Sequence, residues 1–147
     1  PDCAQPGDRP LSPARAGLLT DVRFAQRAGF TRIVFDFAGT DGFPLYDIRY
    51  QPGPFRNMAD AVVPVAGTAF LRVRMEPASR ADLSVDPYVM TYTGPERIDP
   101  GTVSVEEVVL IEDFESNMTW VIGLTAEKPF RVGTLTDPPR IYIDIAD

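Results

Sequence analysis

One pattern that occurs twice in the chain decides the fold: Arg32-Ile33-Val34-Phe35-Asp36-Phe37-Ala38, and near the carboxyl end Arg140-Ile141-Tyr142-Ile143-Asp144-Ile145-Ala146. Four of the seven positions are identical in the two copies. In each copy, three large apolar side chains alternate with a face that carries an arginine and an aspartate. Successive side chains of a β-strand point to opposite faces of a sheet, so each copy predicts a strand with one face in a core.

The same alternation recurs along the chain, at residues 22–24, 70–76 and 120–124. Turn-forming pairs such as Gly53-Pro54, Gly94-Pro95 and Pro100-Gly101 separate the runs, and no segment keeps an apolar helical period for three turns. This pattern predicts an all-β fold, a single β-sandwich of two antiparallel sheets over residues 18–147. The two copies predict an internal pseudo-repeat, with the repeated strands in equivalent places in the two halves. The expected core residues are Ile33, Phe35, Phe37, Trp120, Ile122, Ile141, Ile143 and Ile145.

The arginine and aspartate of each copy lie four residues apart, which is about 13 Å along a strand, so they cannot pair with each other. They can pair with charges on neighbouring strands and thereby fix the strand register. The alternative is a binding or catalytic role for Asp36 and Asp144.

The composition excludes several classes of function. The chain has 147 residues, no histidine and one cysteine. A Ser-His-Asp triad, a histidine metal ligand and a thiolate zinc site are therefore excluded. The net charge of −7 and the lack of a basic cluster argue against binding of nucleic acid, and no apolar run is long enough to span a membrane. We expect no cofactor and no metal.

Residues 1–17 are rich in proline and small residues, which predicts a flexible tether. Cys3 lies in this segment. It could carry a lipid, pair with another chain, or remain a free thiol, and the last interpretation is favoured because Pro1-Asp2 does not resemble the residues that precede a lipidated cysteine.

Two long connections, residues 51–64 and 78–102, are the expected ligand surfaces, because long loops in compact domains are often functional. A sugar ring stacks its apolar face on an aromatic side chain and needs polar groups for its hydroxyls. The predicted platform consists of Tyr88, Tyr92 and Tyr142, with Arg140 and Asp144 as partners for hydroxyls. For each tyrosine the alternative is half-buried packing.

Two other functions remain open. The acids Glu106, Glu107, Glu112, Asp113 and Glu115 could supply the paired carboxylates of a glycan hydrolase. The favoured alternative is a solvated turn between strands that end at Ile111 and begin near Thr119. An exposed edge strand or an acidic surface could instead bind another protein.

The chain resembles the AMIN-like domains of actinobacterial exported proteins and lipoproteins, which are related to the AMIN domains of cell-wall amidases. The resemblance covers residues 18 to 147. The segments that carry it are Leu19-Thr20-Asp21-Val22-Arg23, Tyr46-Asp47-Ile48-Arg49-Tyr50, Trp120-Val121-Ile122-Gly123-Leu124, Pro129-Phe130-Arg131-Val132 and Asp137-Pro138-Pro139-Arg140. It implies a β-sandwich that targets the cell envelope, partly through peptidoglycan, and it transfers no functional residues.

Together, the residues and the resemblance predict a non-catalytic module that binds peptidoglycan or another wall glycan. Its expected partners are a wall glycan or an envelope protein. Its expected location is exported, in the envelope or outside the cell, with a lipid anchor at or upstream of the amino terminus as an open alternative.

Overall fold

The computed structural model describes residues 17–39 and 43–147, and the regular structure in them is β-strand. The predicted tether and Cys3 lie outside the described residues up to residue 16, and Gly17 already begins the first strand. The strands are β1 (Gly17–Arg27), β2 (Phe30–Phe37), β3 (Leu45–Tyr50), β4 (Phe55–Arg56), β5 (Val62–Val63), β6 (Ala69–Glu76), β7 (Ala78–Ser79), β8 (Ala81–Asp82), β9 (Val89–Met90), β10 (Arg97–Ile98), β11 (Val105–Phe114), β12 (Asn117–Leu124), β13 (Phe130–Leu135) and β14 (Arg140–Ala146).

Ten of the strands form two five-stranded sheets. The first sheet has the order β13-β14-β2-β1-β7 and the second has the order β10-β11-β12-β6-β3. Strands β4 and β5 form a separate hairpin, as do β8 and β9. Neighbouring strands are antiparallel except at β7, which runs parallel to β1, so the prediction of purely antiparallel sheets is wrong at this edge. The all-β class is confirmed.

The two repeated segments are neighbours, not equivalents in separate halves, and this prediction is therefore wrong. They form β2 and β14, which pair antiparallel in the first sheet with Ile33 opposite Ile143. The physical reason lies in the pattern itself. A strand with arginine in its first position and aspartate in its fifth is complementary to its own antiparallel copy, and the register places Arg32 opposite Asp144.

The core lies between the two sheets and consists of side chains from both. All eight residues predicted for it are buried, with at most 1% of each side chain exposed. Phe35 of the first sheet and Trp120 of the second are in contact, with ring centroids 6.0 Å apart. One cluster of buried side chains contains residues from both sheets. The opposite face of the first sheet, which carries Arg32, is therefore directed outward.

A second apolar cluster lies on the other face of the second sheet. It consists of Val109, Ile111 and Val121, and Phe55 of the β4–β5 hairpin covers it. Burial on both faces explains why β11 reads as a continuous apolar run. Part of the first long connection, residues 51–64, therefore packs against the second sheet.

The acidic segment between β11 and β12 is shorter and more ordered than the sequence suggests. Strand β11 continues to Phe114 and β12 begins at Asn117, which leaves Glu115 and Ser116 as the turn, both with positive φ (51° and 64°). The expectation of a solvated turn from residue 111 to 119 is wrong, because Glu112 and Asp113 pair with β12 in the ladder.

Candidate functional site

An ion pair between β2 and β14 organises the outer face of the first sheet. Arg32 donates from Nε to Asp144 Oδ1 at 2.8 Å and from Nη2 to Oδ2 at 2.9 Å. The side chains are 28% and 16% exposed, and the hydrogen bonds to Asp144 raise the pKa of Arg32. The cross-strand pairing predicted for Asp144 is present in the structure, and Asp36 is paired in the same bidentate way with Arg23.

Two aromatic rings flank the Arg32 guanidinium. Its central carbon lies 4.2 Å from the centroid of the Tyr142 ring and 5.9 Å from that of Phe30, which are cation–π distances. The Tyr142 ring itself lies over β13 at Gly133, where a Cβ atom would be 2.3 Å from the ring. A larger residue at position 133 would therefore displace the Tyr142 ring.

A shallow groove of about 420 Å³ lies beside this cluster, on the outer face near the turn from β1 to β2. We call it the Arg32 groove. Its walls combine apolar side chains with three charged ones, of which Arg131 is exposed and makes no hydrogen bond or ion pair with the residues that the structure describes. The lining residues are Gly29, Phe30, Arg32, Pro129, Phe130, Arg131, Asp144 and Ala146.

Two further grooves lie on the second sheet. One, of about 490 Å³, runs along β3, and its charges are already paired, as in the contacts of Asp47 with Arg49 and Arg72 at 2.7 and 3.0 Å. The other, of about 420 Å³, lies at the start of the first long connection beside Tyr50, whose hydroxyl hydrogen bonds to the backbone of Lys128. Neither contains a residue of the predicted platform.

The structure separates the predicted platform. Tyr142, Asp144 and Arg140 share the outer face of β14. Tyr88 instead lies on the β8–β9 hairpin. This hairpin is attached near β1, where Thr91 Oγ1 donates a hydrogen bond to the carbonyl of Leu19. Tyr88 is 60% exposed. The platform is therefore not one continuous surface.

Tyr92 is not an exposed platform, which corrects the expectation for this residue. Its side chain is 3% exposed, its ring packs edge-on against Trp120 at 5.9 Å, and its hydroxyl donates to the carbonyl of Pro95 at 2.6 Å. Burial is the main cause that raises its pKa. The physical reason is that the second long connection needs an apolar anchor, and Tyr92 supplies it with its hydroxyl satisfied at the rim.

The other polar residues of the predicted platform already have partners. Arg140 donates from Nε and Nη2 to the carbonyls of Pro138 and Thr136 in the β13–β14 turn. Asp144 accepts two hydrogen bonds from Arg32. Of the two, Asp144 lines the Arg32 groove and Arg140 does not.

The acids of the hydrolase alternative make structural contacts. Asp113 pairs with Arg80 at 2.8 Å, and Glu112 accepts a hydrogen bond from Asn117 at 3.0 Å. Burial acts to raise the pKa of Glu107, but hydrogen bonds from the Ala66 backbone and from Arg97 outweigh it and leave that pKa lowered. A general acid needs the opposite shift. Within residues 17–39 and 43–147, no three metal-ligating side chains lie together.

Sequence reasoning missed Arg131 and Phe30 as groove residues and assigned Arg32 only to register. The signal for Arg32 was present, since the aspartate that pairs with it lies in the repeat. Arg131 had no such signal, because its place beside Asp144 follows from the pairing of β13 with β14.

Residues 17–147 match the family model of the AMIN-like domain. The comparison with curated proteins gave no match, and the comparison with solved structures gave none either. In the described part of the chain, no helix has the length and apolarity to cross a membrane. AMIN-like domains occur in exported cell-envelope proteins and are generally non-catalytic binding modules related to the cell wall. Because the match covers nearly all of the sequence, the chain belongs to the AMIN-like domain family.

Proposed function

We propose that this domain is a non-catalytic module that binds peptidoglycan or another wall glycan in the Arg32 groove. One observation carries the proposal: Arg32, bonded to Asp144, lies between the rings of Phe30 and Tyr142 at the groove wall. The charged pair and the aromatic rings thus occupy the same few ångströms of an outward-facing surface.

The chemistry of a sugar fits this surface. A pyranose ring has apolar C–H faces and a rim of hydroxyls that both donate and accept. The groove offers apolar contact through Phe30 and Pro129 and a fork of guanidinium N–H donors on Arg32, of which Asp144 takes two. Asp144 can also accept from hydroxyls, since each carboxylate oxygen has more than one lone pair.

Binding at one groove is expected to be weak, because a shallow surface buries little area. Wall glycans are repetitive polymers, so neighbouring copies of the domain on one surface gain affinity through avidity. A targeting role tolerates weak single sites for this reason.

The architecture proposed for this role is a β-sandwich of two similar halves. The strand order supports it: β1–β2 and β13–β14 meet in the first sheet as 13-14-2-1, and β3–β6 and β11–β12 meet in the second as 3-6-12-11. If β1, β2, β3 and β6 are exchanged with β11, β12, β13 and β14, respectively, the strand order of one sheet becomes that of the other. In this proposal β2 corresponds to β12, not to β14.

The proposed location is the exported cell envelope, as for other AMIN-like domains. The lipid anchor, the actinobacterial origin and the role of Cys3 stay predictions from the sequence. Localisation of the full protein in fractionated cells tests the location, which is contradicted by recovery in the cytoplasm alone.

A second function, binding of an envelope protein, is favoured by the β8–β9 hairpin. Leu83, Val85, Tyr88, Val89 and Met90 are all between 41% and 71% exposed there. Contiguous exposed apolar side chains often mark interaction surfaces. Tyr88 therefore belongs to this second candidate more naturally than to the groove.

Sedimentation with insoluble peptidoglycan tests the proposed function. The wild-type domain should sediment with the wall material and remain bound in moderate salt, since most of the contacts are hydrogen bonds and stacking. Ala146→Trp should fill the groove and reduce retention, whereas the matched control Ala59→Trp, on the exposed turn after β4, should not.

Three outcomes contradict the proposal: no retention of the wild-type domain, equal retention of Ala146→Trp at an unchanged melting temperature, or complete loss of retention in moderate salt, which indicates a partner bound by charge alone. Release of soluble sugar from the wall material would support the hydrolase alternative.

A further inference from the structure

We infer that the Arg32 groove selects glycans that carry a carboxylate, and that Arg131 is the residue that recognises it. This inference rests on the proposed function and specifies the class of ligand. The lining of the groove has three charged side chains, Arg32, Arg131 and Asp144. The first and last neutralise each other in a bidentate pair, so the groove has an excess of one positive charge in a chain of net charge −7.

The register explains why Arg131 has no partner in the described structure. Arg131 lies opposite Asp144 in the β13–β14 ladder, which would ordinarily favour a cross-strand pair. Arg32 lies opposite Asp144 on the other side and takes both carboxylate oxygens, at 2.8 and 2.9 Å. Two arginines thus flank one aspartate, and the second arginine is left exposed at the groove.

One further carboxylate, that of Asp147, lies near the groove but is not part of its lining. Asp147, whose backbone N–H bonds to the carbonyl of Gly29 in the groove wall, has both side-chain oxygens near Gln26 Nε2, at 3.2 and 3.0 Å. Its carboxylate is thus already hydrogen bonded. An exposed guanidinium beside an apolar wall binds a carboxylate well, because its planar fork matches the two oxygens.

The geometry also sets the size of the ligand. Arg131, Asp144 and Arg32 lie in one row across three adjacent strands. Since neighbouring strands are about 4.8 Å apart, a ligand that contacts both arginines extends across about 10 Å. A short glycan with a carboxylate on one sugar and a neutral sugar beside it fits this spacing, with the neutral ring at Phe30 and Pro129.

The test compares two disaccharides of the same length. One is N-acetylglucosaminyl-N-acetylmuramic acid, which carries a lactyl carboxylate, and the other is the same molecule with that carboxylate reduced to an alcohol. The wild-type domain should bind the acid about fivefold more tightly than the alcohol, as expected for one solvent-exposed charged contact. Calorimetry or NMR titration measures both dissociation constants.

Arg131→Gln should remove the preference, so that the acid and the alcohol bind with equal affinity. Arg56→Gln, which removes the same charge from the β4–β5 hairpin on the other sheet, should keep it. The disaccharide with its stem peptide attached distinguishes the source of the carboxylate, because its lactyl carboxyl is converted to an amide. An Arg131-dependent preference for this molecule over the alcohol assigns the contact to a carboxylate of the peptide, and loss of that preference assigns it to the free lactyl group.

Equal affinity of the wild-type domain for acid and alcohol, or a preference that survives in Arg131→Gln, overturns this inference and leaves the groove as a neutral-glycan site. Failure of both disaccharides to bind, together with no retention on insoluble wall material, overturns the proposed function itself.

Discussion

Arg32 and Asp144, which lie 112 positions apart in the sequence, face each other across β2 and β14 and are joined by two hydrogen bonds of 2.8 and 2.9 Å. The pair links the beginning of the domain to its end. It also holds the guanidinium against Tyr142, so one contact serves both the register of the sheet and the shape of the groove.

A double-mutant cycle of Arg32→Gln and Asp144→Asn measures the first of these roles. Because the pair is bidentate and partly buried, we expect a coupling free energy of about 1 kcal/mol in urea unfolding. The cycle of Arg56 and Asp60, whose charged atoms are 3.9 Å apart on an exposed turn, should give a value near zero. Equal coupling in the two cycles contradicts a special role for the Arg32 pair.

The two tyrosines of the second long connection should behave in opposite ways. Tyr92→Ala removes a buried ring from the Trp120 contact and should cost about 3 kcal/mol in the free energy of unfolding. Tyr88→Ala removes an exposed ring and should change it by less than about 0.5 kcal/mol. Thermal or urea unfolding of both variants checks this, and a comparable loss in the two would mean that the β8–β9 hairpin packs more tightly than described.

The repeated strands show what sequence can and cannot predict here. Alternation identified the buried faces of β2 and β14, since the period of a strand is visible locally. The partner of each strand was not visible, because two similar segments can be equivalent in separate halves or adjacent in one sheet. Only the complementarity of arginine and aspartate within the repeat favours adjacency.

The candidate site was harder to predict for the same reason. Asp144 and Tyr142 were identified because they alternate with isoleucines in one strand. Arg131 and Phe30 join them only through the pairing of β13, β14 and β2, which no local pattern indicates. Tyr92 was misplaced because a tyrosine in a long, proline-rich loop gives no sign of the Trp120 ring that it contacts.

Glu107 should make stability depend on pH. Its pKa is lowered in the folded state by the Ala66 backbone and by Arg97, against the opposite effect of burial. A lowered pKa means that this contribution is fully present above the unfolded value of about 4.3 and is lost as pH falls through the folded value. The free energy of unfolding of the wild-type domain should therefore fall more steeply below about pH 5 than that of Glu107→Gln.

Glu106→Gln, at the exposed neighbouring position, serves as the control and should follow the wild-type curve in the same titration. Identical pH profiles for wild type and Glu107→Gln would show that the Arg97 contact contributes nothing to stability.

Gly133→Val should disturb the Arg32 groove indirectly, through the Tyr142 ring that packs beside Arg32. A Cβ atom at this position would lie 2.3 Å from the Tyr142 ring, so the ring must move away from its place beside Arg32. We expect a severalfold loss of retention on peptidoglycan, while Thr134→Val, at the exposed next position of the same strand, should bind normally. Unchanged retention in a folded Gly133→Val domain would separate Tyr142 from the binding surface.

The most direct measurement is an NMR titration of the labelled wild-type domain with soluble peptidoglycan fragments. If a wall glycan binds in the Arg32 groove, the largest changes in amide chemical shift should fall at Phe30, Arg131 and Ala146, with saturation at millimolar fragment. Changes confined to the β8–β9 hairpin around Tyr88, or no changes over the same range of concentration, would contradict the groove as the glycan site.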